Sequence, residues 1–174
     1  MIDKTHHGNC LTVSGVGILI TGASGSGKSS LTMGLLETAK REGLCGQFVS
    51  DDRVILKRRG DKVFAYPPES LKGKIELRGY GIIEYPSVES TEVSLVVELT
   101  DDADIERMPE IQHREISGIQ VPLVHVPKQH EQAALRIVFA WLADHVEPGI
   151  SLALQANAVL KGQNTLKRKI GKQP

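Results

Sequence analysis

The sequence predicts one α/β domain in which a mixed β-sheet carries flanking helices. Its 174 residues fit a single compact domain, and hydrophobic residues make up 40% of them and charged residues 24%, as in ordinary globular proteins. Short runs rich in β-branched residues alternate with two longer segments of helical periodicity. A glycine-rich loop also joins an apolar run to the first of these helical segments, which is the order of elements typical of α/β proteins.

Composition and charge exclude several other classes of protein. Lys plus Arg number 21 and Asp plus Glu number 21, so no overall field favours nucleic acid or an anionic membrane. The two cysteines, Cys10 and Cys45, have no disulfide or zinc-site spacing, which fits a reducing compartment. No apolar run has the length of a signal peptide or of a transmembrane helix. We therefore expect a cytoplasmic protein without membrane insertion.

In the first half of the chain, β-branched apolar runs and turn residues predict five strands and one helix. The strands are predicted over residues 11–13, 16–21, 47–50, 53–56 and 63–66. The helix is predicted over residues 28–42, because Leu31, Leu35 and Ala39 recur at helical spacing and Gly43 provides a stop.

The second half predicts further strands, a second helix and a tail. The strands are predicted over residues 74–77, 82–85, 93–99 and 118–126. Residues 129–145 present one apolar helical face, which we expect to pack on the sheet. The catalytic domain is predicted to span residues 1–147, and residues 148–174 a C-terminal helix with a flexible basic tail.

Residues 22–29 form the strongest motif in the chain, because they satisfy G-x-x-x-x-G-K-[ST] between a predicted strand and a predicted helix. In such a loop, backbone N–H groups and the helix N-terminus bind phosphate oxygens, the lysine reaches the β- and γ-phosphates, and the Ser hydroxyl is placed for Mg²⁺. A chance match in a glycine-rich turn is the alternative, and it is rare in this context. The predicted phosphate-binding residues are Gly22, Ala23, Ser24, Gly25, Ser26, Gly27, Lys28, Ser29 and Ser30.

Three acidic residues and one histidine are the candidates for the remaining chemistry. Asp51 and Asp52 follow a predicted strand, where one can face Mg²⁺ and the other can serve as a base. A solvated pair of turn acids is the alternative. Glu76 lies beside two glycines that indicate a tight turn, although it could also be an exposed strand residue paired with Arg78. His7 precedes Gly8 and, taken alone, is typical of a surface residue.

Together these motifs resemble the kinase domain of the bacterial HPr kinase/phosphorylase family. The resemblance rests on His7-Gly8, the loop at 22–29, residues 49–52 and residues 76–81. It implies a P-loop fold like that of phosphoenolpyruvate carboxykinase, in the short form that lacks the family's N-terminal domain. It also implies an ATP- and Mg²⁺-dependent protein serine kinase that acts on HPr or its nitrogen-system homologue, with reverse phosphorolysis that consumes phosphate and releases pyrophosphate. A homohexamer is implied as well.

The resemblance also implies roles for individual residues. Lys28 and the loop glycines would hold the nucleotide, while Ser29, Asp52 and Glu76 would surround Mg²⁺. Asp51 would be the catalytic base, and His7 would lie beside Asp51 and tune its proton affinity. The family's Pro-Gly-Arg-Asn type segment is replaced here by residues 126–130, so Lys128 or Arg136 is expected to supply a cation.

Two other functions remain open from the sequence. A small-molecule P-loop kinase would need a lid of arginines over the phosphates, and Arg53, Arg58 and Arg59 could form one. A regulatory module that senses ATP without phosphoryl transfer would need only the loop. Substrate-dependent consumption of ATP separates the sensor from both enzymes.

Overall fold

A computed structural model describes residues 5–145. Within this range a mixed sheet of nine strands carries two helices, and a small hairpin lies beside it. The strands of the first half are β1 (Thr5–His7), β2 (Asn9–Val13), β3 (Val16–Gly22), β4 (Gly46–Ser50), β5 (Arg53–Arg59) and β6 (Lys62–Tyr66). The later strands are β7 (Lys74–Leu77), β8 (Gly81–Glu84), β9 (Thr91–Thr100), β10 (Gln112–Ile116) and β11 (Ile119–Pro127).

The centre of the sheet is parallel and its flanks are antiparallel. The strand order is β1-β5-β6-β9-β3-β2-β4, and β11 pairs with both β9 and β10. β9 runs parallel to β3 on one side and to β11 on the other, so the carboxyl ends of three strands meet at one edge. Ligands of open α/β sheets bind at this edge.

The two helices share one hydrophobic core with the sheet. Helices α1 (Lys28–Arg41) and α2 (Glu131–His145) contact each other, and their buried residues pack with those of β2, β3 and β9. A second buried cluster, to which neither helix contributes, lies between β5, β6 and the central strands. Both clusters are mainly aliphatic, and Phe48 is the largest fully buried side chain among the described residues.

The structure confirms the predicted α/β class and every predicted strand and helix that falls within residues 5–145, with shifts at their ends. Two strands were not predicted, β1 and β10, because their sequences are polar and lack apolar alternation. β5 also extends to Arg59, beyond the strand predicted over residues 53–56. No helix in the described range combines the length and the apolar character needed to cross a bilayer. The predicted C-terminal helix and tail lie outside the described residues.

Candidate active site

The glycine-rich loop connects the carboxyl end of β3 to the first turn of α1. Gly25 and Gly27 have φ of 75° and 103°, in the left-handed region that favours glycine. Gly27 occupies the N-cap of α1, and no side chain caps the free N–H groups of the first turn. These N–H groups and the helix dipole therefore remain available to an anion at this edge of the sheet.

Lys28 lies folded against the loop that precedes it. Its Nζ donates hydrogen bonds to the backbone oxygens of Gly22 at 3.2 Å and Ala23 at 2.9 Å. Burial lowers the pKa of the Lys28 ammonium below its ordinary value, and the charges of Asp52 and Asp51 oppose that shift. Ser26 Oγ is buried without a hydrogen-bond partner within residues 5–145.

A cavity of about 570 Å³ opens beside this loop and gathers most of the residues predicted for the site. His7, Asp51, Asp52 and Glu76 line it, together with six loop residues: Ser24, Gly25, Gly27, Lys28, Ser29 and Ser30. The volume suits a nucleotide or its polyphosphate group.

Asp51 is buried and faces the loop. Its Oδ1 accepts hydrogen bonds from Ser29 Oγ at 2.8 Å and Asn9 Nδ2 at 2.5 Å. Its Oδ2 accepts one from the backbone N–H of Glu76 at 3.0 Å. Three donors thus fix this carboxylate beside the Ser hydroxyl that the motif assigns to Mg²⁺.

Asp52 lines the same cavity but is solvent-accessible, with 61% of its side chain exposed, and its charge raises the pKa of Lys28 as that of Asp51 does. Its φ of 63° turns the chain so that its carboxylate emerges next to β1. Because His7 pairs with Arg53 across β1 and β5, the His7 Nε2 lies 3.1 Å from Asp52 Oδ1. The expected contact of His7 was with Asp51, so the structure corrects that pairing.

Glu76 approaches the site from the β7–β8 hairpin. Its backbone is tied to Asp51, whereas its side chain is exposed and lines the cavity. The oxygen donors Ser29, Asp51 and Glu76 are of the type that Mg²⁺ prefers. Within residues 5–145 no three His, Cys, Asp or Glu side chains assemble a metal site by themselves. The residues therefore fit an ion held by one or two carboxylates and substrate phosphates rather than an all-protein cage.

Two residues of the site were missed from the sequence. Asn9 is fully buried on β2 and contacts both aspartates, and its only sequence signal is a polar residue in an apolar strand. Glu131, at the start of α2, accepts a hydrogen bond from the Ser30 hydroxyl. Nothing in the sequence near Glu131 indicates this contact, because it joins residues 101 positions apart.

Of the three arginines that the sequence offered for a lid, Arg53 lies beside the site, where its Nε is 3.8 Å from Asp52 Oδ2, and the other two are occupied elsewhere. Arg58 donates to the backbone oxygens of Gly60 and Ser117, and the Arg59 guanidinium lies over the rings of Phe64 and Tyr66.

The segment that replaces the family's Pro-Gly-Arg-Asn motif braces the loop through its backbone. Lys128 forms an ion pair with Asp101 at 2.7 Å, and the Gln129 N–H donates to Ser26 O at 3.2 Å. Neither Lys128 nor Arg136 lines the cavity of about 570 Å³, and a cation supplied by one of them stays a prediction.

Comparison with known proteins agrees with this geometry. The family model described as the HPr Serine kinase C-terminal domain matches residues 2–147. The HPr kinase/phosphorylase of Chlorobium phaeobacteroides is 32% identical over 138 residues, which are 72% of this chain and 39% of that protein. The corresponding protein of Limosilactobacillus reuteri is 35% identical over 136 residues, which are 71% of this chain and 41% of that protein.

A solved structure shows the same fold. The Hpr(Ser) kinase/phosphatase from Coxiella burnetii superposes with a TM-score of 0.69 at 26% identity, covering 81% of this chain and 97% of that one. The chain spans about two fifths of the length of the curated relatives it matches. The match over residues 2–147 covers most of the sequence, and the chain therefore belongs to the HPr serine kinase C-terminal domain family.

Proposed function

We propose that this chain is an ATP- and Mg²⁺-dependent protein serine kinase that phosphorylates an HPr-type phosphocarrier protein, either HPr or its nitrogen-system homologue. Membership of the family and the similarity to proteins named HPr kinase/phosphorylase support this substrate. The observation that carries the proposal is the separation of two adjacent carboxylates in one cavity. Asp51 faces the phosphate loop, and Asp52 faces the solvent where a protein hydroxyl can approach.

This geometry favours roles for the two aspartates that are the reverse of those expected from the resemblance. Asp51, Ser29 and Glu76 would hold Mg²⁺, since Asp51 Oδ1 and Ser29 Oγ are 2.8 Å apart and Glu76 lines the same cavity. Bound there, Mg²⁺ would neutralise charge on the β- and γ-phosphate oxygens. Lys28 would exchange its two backbone carbonyl partners for those phosphates, and the loop N–H groups would complete the cradle.

Asp52 is the proposed catalytic base. It takes the proton of the serine hydroxyl as the serine oxygen bonds to the γ-phosphorus and the bond from phosphorus to ADP breaks. His7, 3.1 Å away, orients the Asp52 carboxylate. In the reverse direction phosphate attacks the phosphoserine, the serine oxygen regains the proton from Asp52, and pyrophosphate leaves.

The test is incubation of the purified chain with γ-labelled ATP, Mg²⁺ and a phosphocarrier, followed by excess phosphate. We expect label on serine and then its release as pyrophosphate. A phosphocarrier whose acceptor Ser is replaced by Ala is the control for the site of transfer. Absence of label on any phosphocarrier would overturn the kinase assignment and favour the sensor, whereas label on a metabolite would favour the small-molecule kinase.

The proposal extends to assembly and location. We propose a homohexamer in the cytoplasm, where ATP and a phosphocarrier substrate are available. Light scattering of the purified chain checks the assembly, and a monomeric mass would contradict it.

A further inference from the structure

Asn9 is a buried polar residue at the start of a strand whose residues are all buried. A buried amide is costly unless its donors and acceptor are satisfied. In this protein the partners of Asn9 are the two aspartates of the site and the hydroxyls of Ser29 and Thr32 on α1.

The partners of Asn9 define the orientation of its amide. Its Oδ1 accepts a hydrogen bond from the backbone N–H of Asp52 at 3.1 Å. Its Nδ2 donates to Asp51 Oδ1 at 2.5 Å and to Thr32 Oγ1 at 3.1 Å. Because the Thr32 hydroxyl already donates to Lys28 O at 2.9 Å, it accepts from Asn9. A flipped amide would set its NH₂ against an N–H donor and its oxygen against a carboxylate.

These contacts hold the backbone turn at Asp52, from which the carboxylates of Asp51 and Asp52 leave in different directions. Asp52 is a non-glycine residue with φ of 63°, a conformation that persists when its surroundings hold it. The hydrogen bond from the Asp52 N–H to Asn9 anchors that turn, and the Gly8 N–H to Asp52 O bond at 3.0 Å supports it from the other side. The same Asn9 side chain holds Asp51 toward Ser29.

We propose that Asn9 is the positioning residue that directs Asp51 toward the phosphate loop and Asp52 toward the acceptor, an inference that rests on the proposed function. One amide thereby keeps the metal-binding and proton-accepting carboxylates apart. Asn9 lies in the wall of the cavity with no exposed surface, and both ends of its amide are bonded to protein partners, so it acts through the two aspartates.

Two substitutions of Asn9 and one control test this role. Asn9→Asp keeps an acceptor for the Asp52 N–H and removes the donor to Asp51, whereas Asn9→Leu removes both. The control is Thr32→Val, which removes another partner of the same amide, one whose hydroxyl donates to Lys28 O rather than to an aspartate. Folding of each variant is checked by circular dichroism and thermal melting.

The readouts separate metal binding from transfer and from nucleotide binding. Binding of a fluorescent ATP analogue is measured in chelator and then as a function of Mg²⁺ concentration. Without Mg²⁺, we expect both Asn9 variants to bind the ATP analogue with wild-type affinity. Mg²⁺ raises that affinity, and we expect the variants to need about 10- to 100-fold more Mg²⁺ to reach half of the increase. We also expect Asn9→Leu to lower kcat by about 10- to 100-fold with KM for the phosphocarrier within about twofold.

The possible outcomes distinguish this inference from the proposed function. Wild-type protein that phosphorylates no phosphocarrier overturns the proposed function, while the Mg²⁺ titration still tests Asn9. Folded Asn9 variants with wild-type Mg²⁺ dependence and kcat overturn the positioning role, as does an equal loss in Thr32→Val. If Asn9→Leu fails to fold, Asn9→Asp decides the question by its Mg²⁺ titration.

Discussion

Asp52→Asn is the substitution that tests the proposed catalytic base most directly. Asparagine has the shape of aspartate but cannot take a proton from an attacking hydroxyl at neutral pH. The Asp52 side chain is 61% exposed and its partners His7 and Arg53 are 46% and 62% exposed, so these contacts each contribute under about 1 kcal/mol to stability. The variant should therefore fold and melt like the wild type.

Transfer, by contrast, should fall steeply. Loss of a general base typically costs about 10²- to 10⁴-fold, which corresponds to about 3 to 5 kcal/mol of activation free energy. Affinity for Mg²⁺-ATP should stay within about twofold, because Asp51, and not Asp52, bonds to Ser29, the residue that the motif assigns to Mg²⁺.

Asp51→Asn is the matched variant, since it makes the same chemical change one residue earlier. Asp51 accepts three hydrogen bonds, from Asn9, Ser29 and the backbone of Glu76. An amide has one oxygen, so at least one of these donors would face an NH₂ group, which costs about 1 to 3 kcal/mol of folding free energy. This variant should melt at lower temperature and need more Mg²⁺ for nucleotide binding.

The assay combines thermal melting, Mg²⁺-dependent nucleotide binding and single-turnover transfer of label to a phosphocarrier. Near-normal transfer by Asp52→Asn would refute the assignment of the base. If Asp52→Asn lost Mg²⁺-dependent binding while Asp51→Asn kept it, the two roles would revert to those implied by the family resemblance.

Three further predictions concern the loop and the sheet. Lys28→Ala should lower turnover at least about 100-fold, because a charge-assisted contact to a transition-state phosphate is worth about 3 to 4 kcal/mol; steady-state kinetics measures this. Burial lowers the pKa of Lys28, whereas the hydrogen bond to Glu92 raises that of Lys62. Modification by an amine reagent, followed by mass spectrometry, should therefore reach half its maximal rate at a lower pH for Lys28 than for Lys62, and ATP should protect Lys28 alone. Gly17→Ala should lower the free energy of unfolding by about 1 to 3 kcal/mol in denaturant titration, because its Cβ would lie 1.8 Å from the backbone oxygen of Glu92; an unchanged midpoint would contradict this.

Much of the site could be predicted because its signals are local. The phosphate loop is one contiguous motif, and the strand before it and helix after it follow from apolar periodicity. The acidic pair was also predicted to follow a strand, and in the structure both aspartates follow β4 and line the cavity. β1 and β10 were missed since polar strands are recognised by their pairing partners rather than by their own composition.

The sequence by itself determined the α/β class, the phosphate loop and the set of side chains available for chemistry, because each depends on residues that are neighbours along the chain. Only the tertiary structure decided which of these side chains face the phosphate loop and which face the solvent. The backbone turn at Asp52 and the contacts of Asn9 and His7 across 43 and 45 residues direct one carboxylate inward and the other outward. Alternation along an ideal strand predicts two opposite faces, but only pairing with distant strands settles which carboxylate meets the loop.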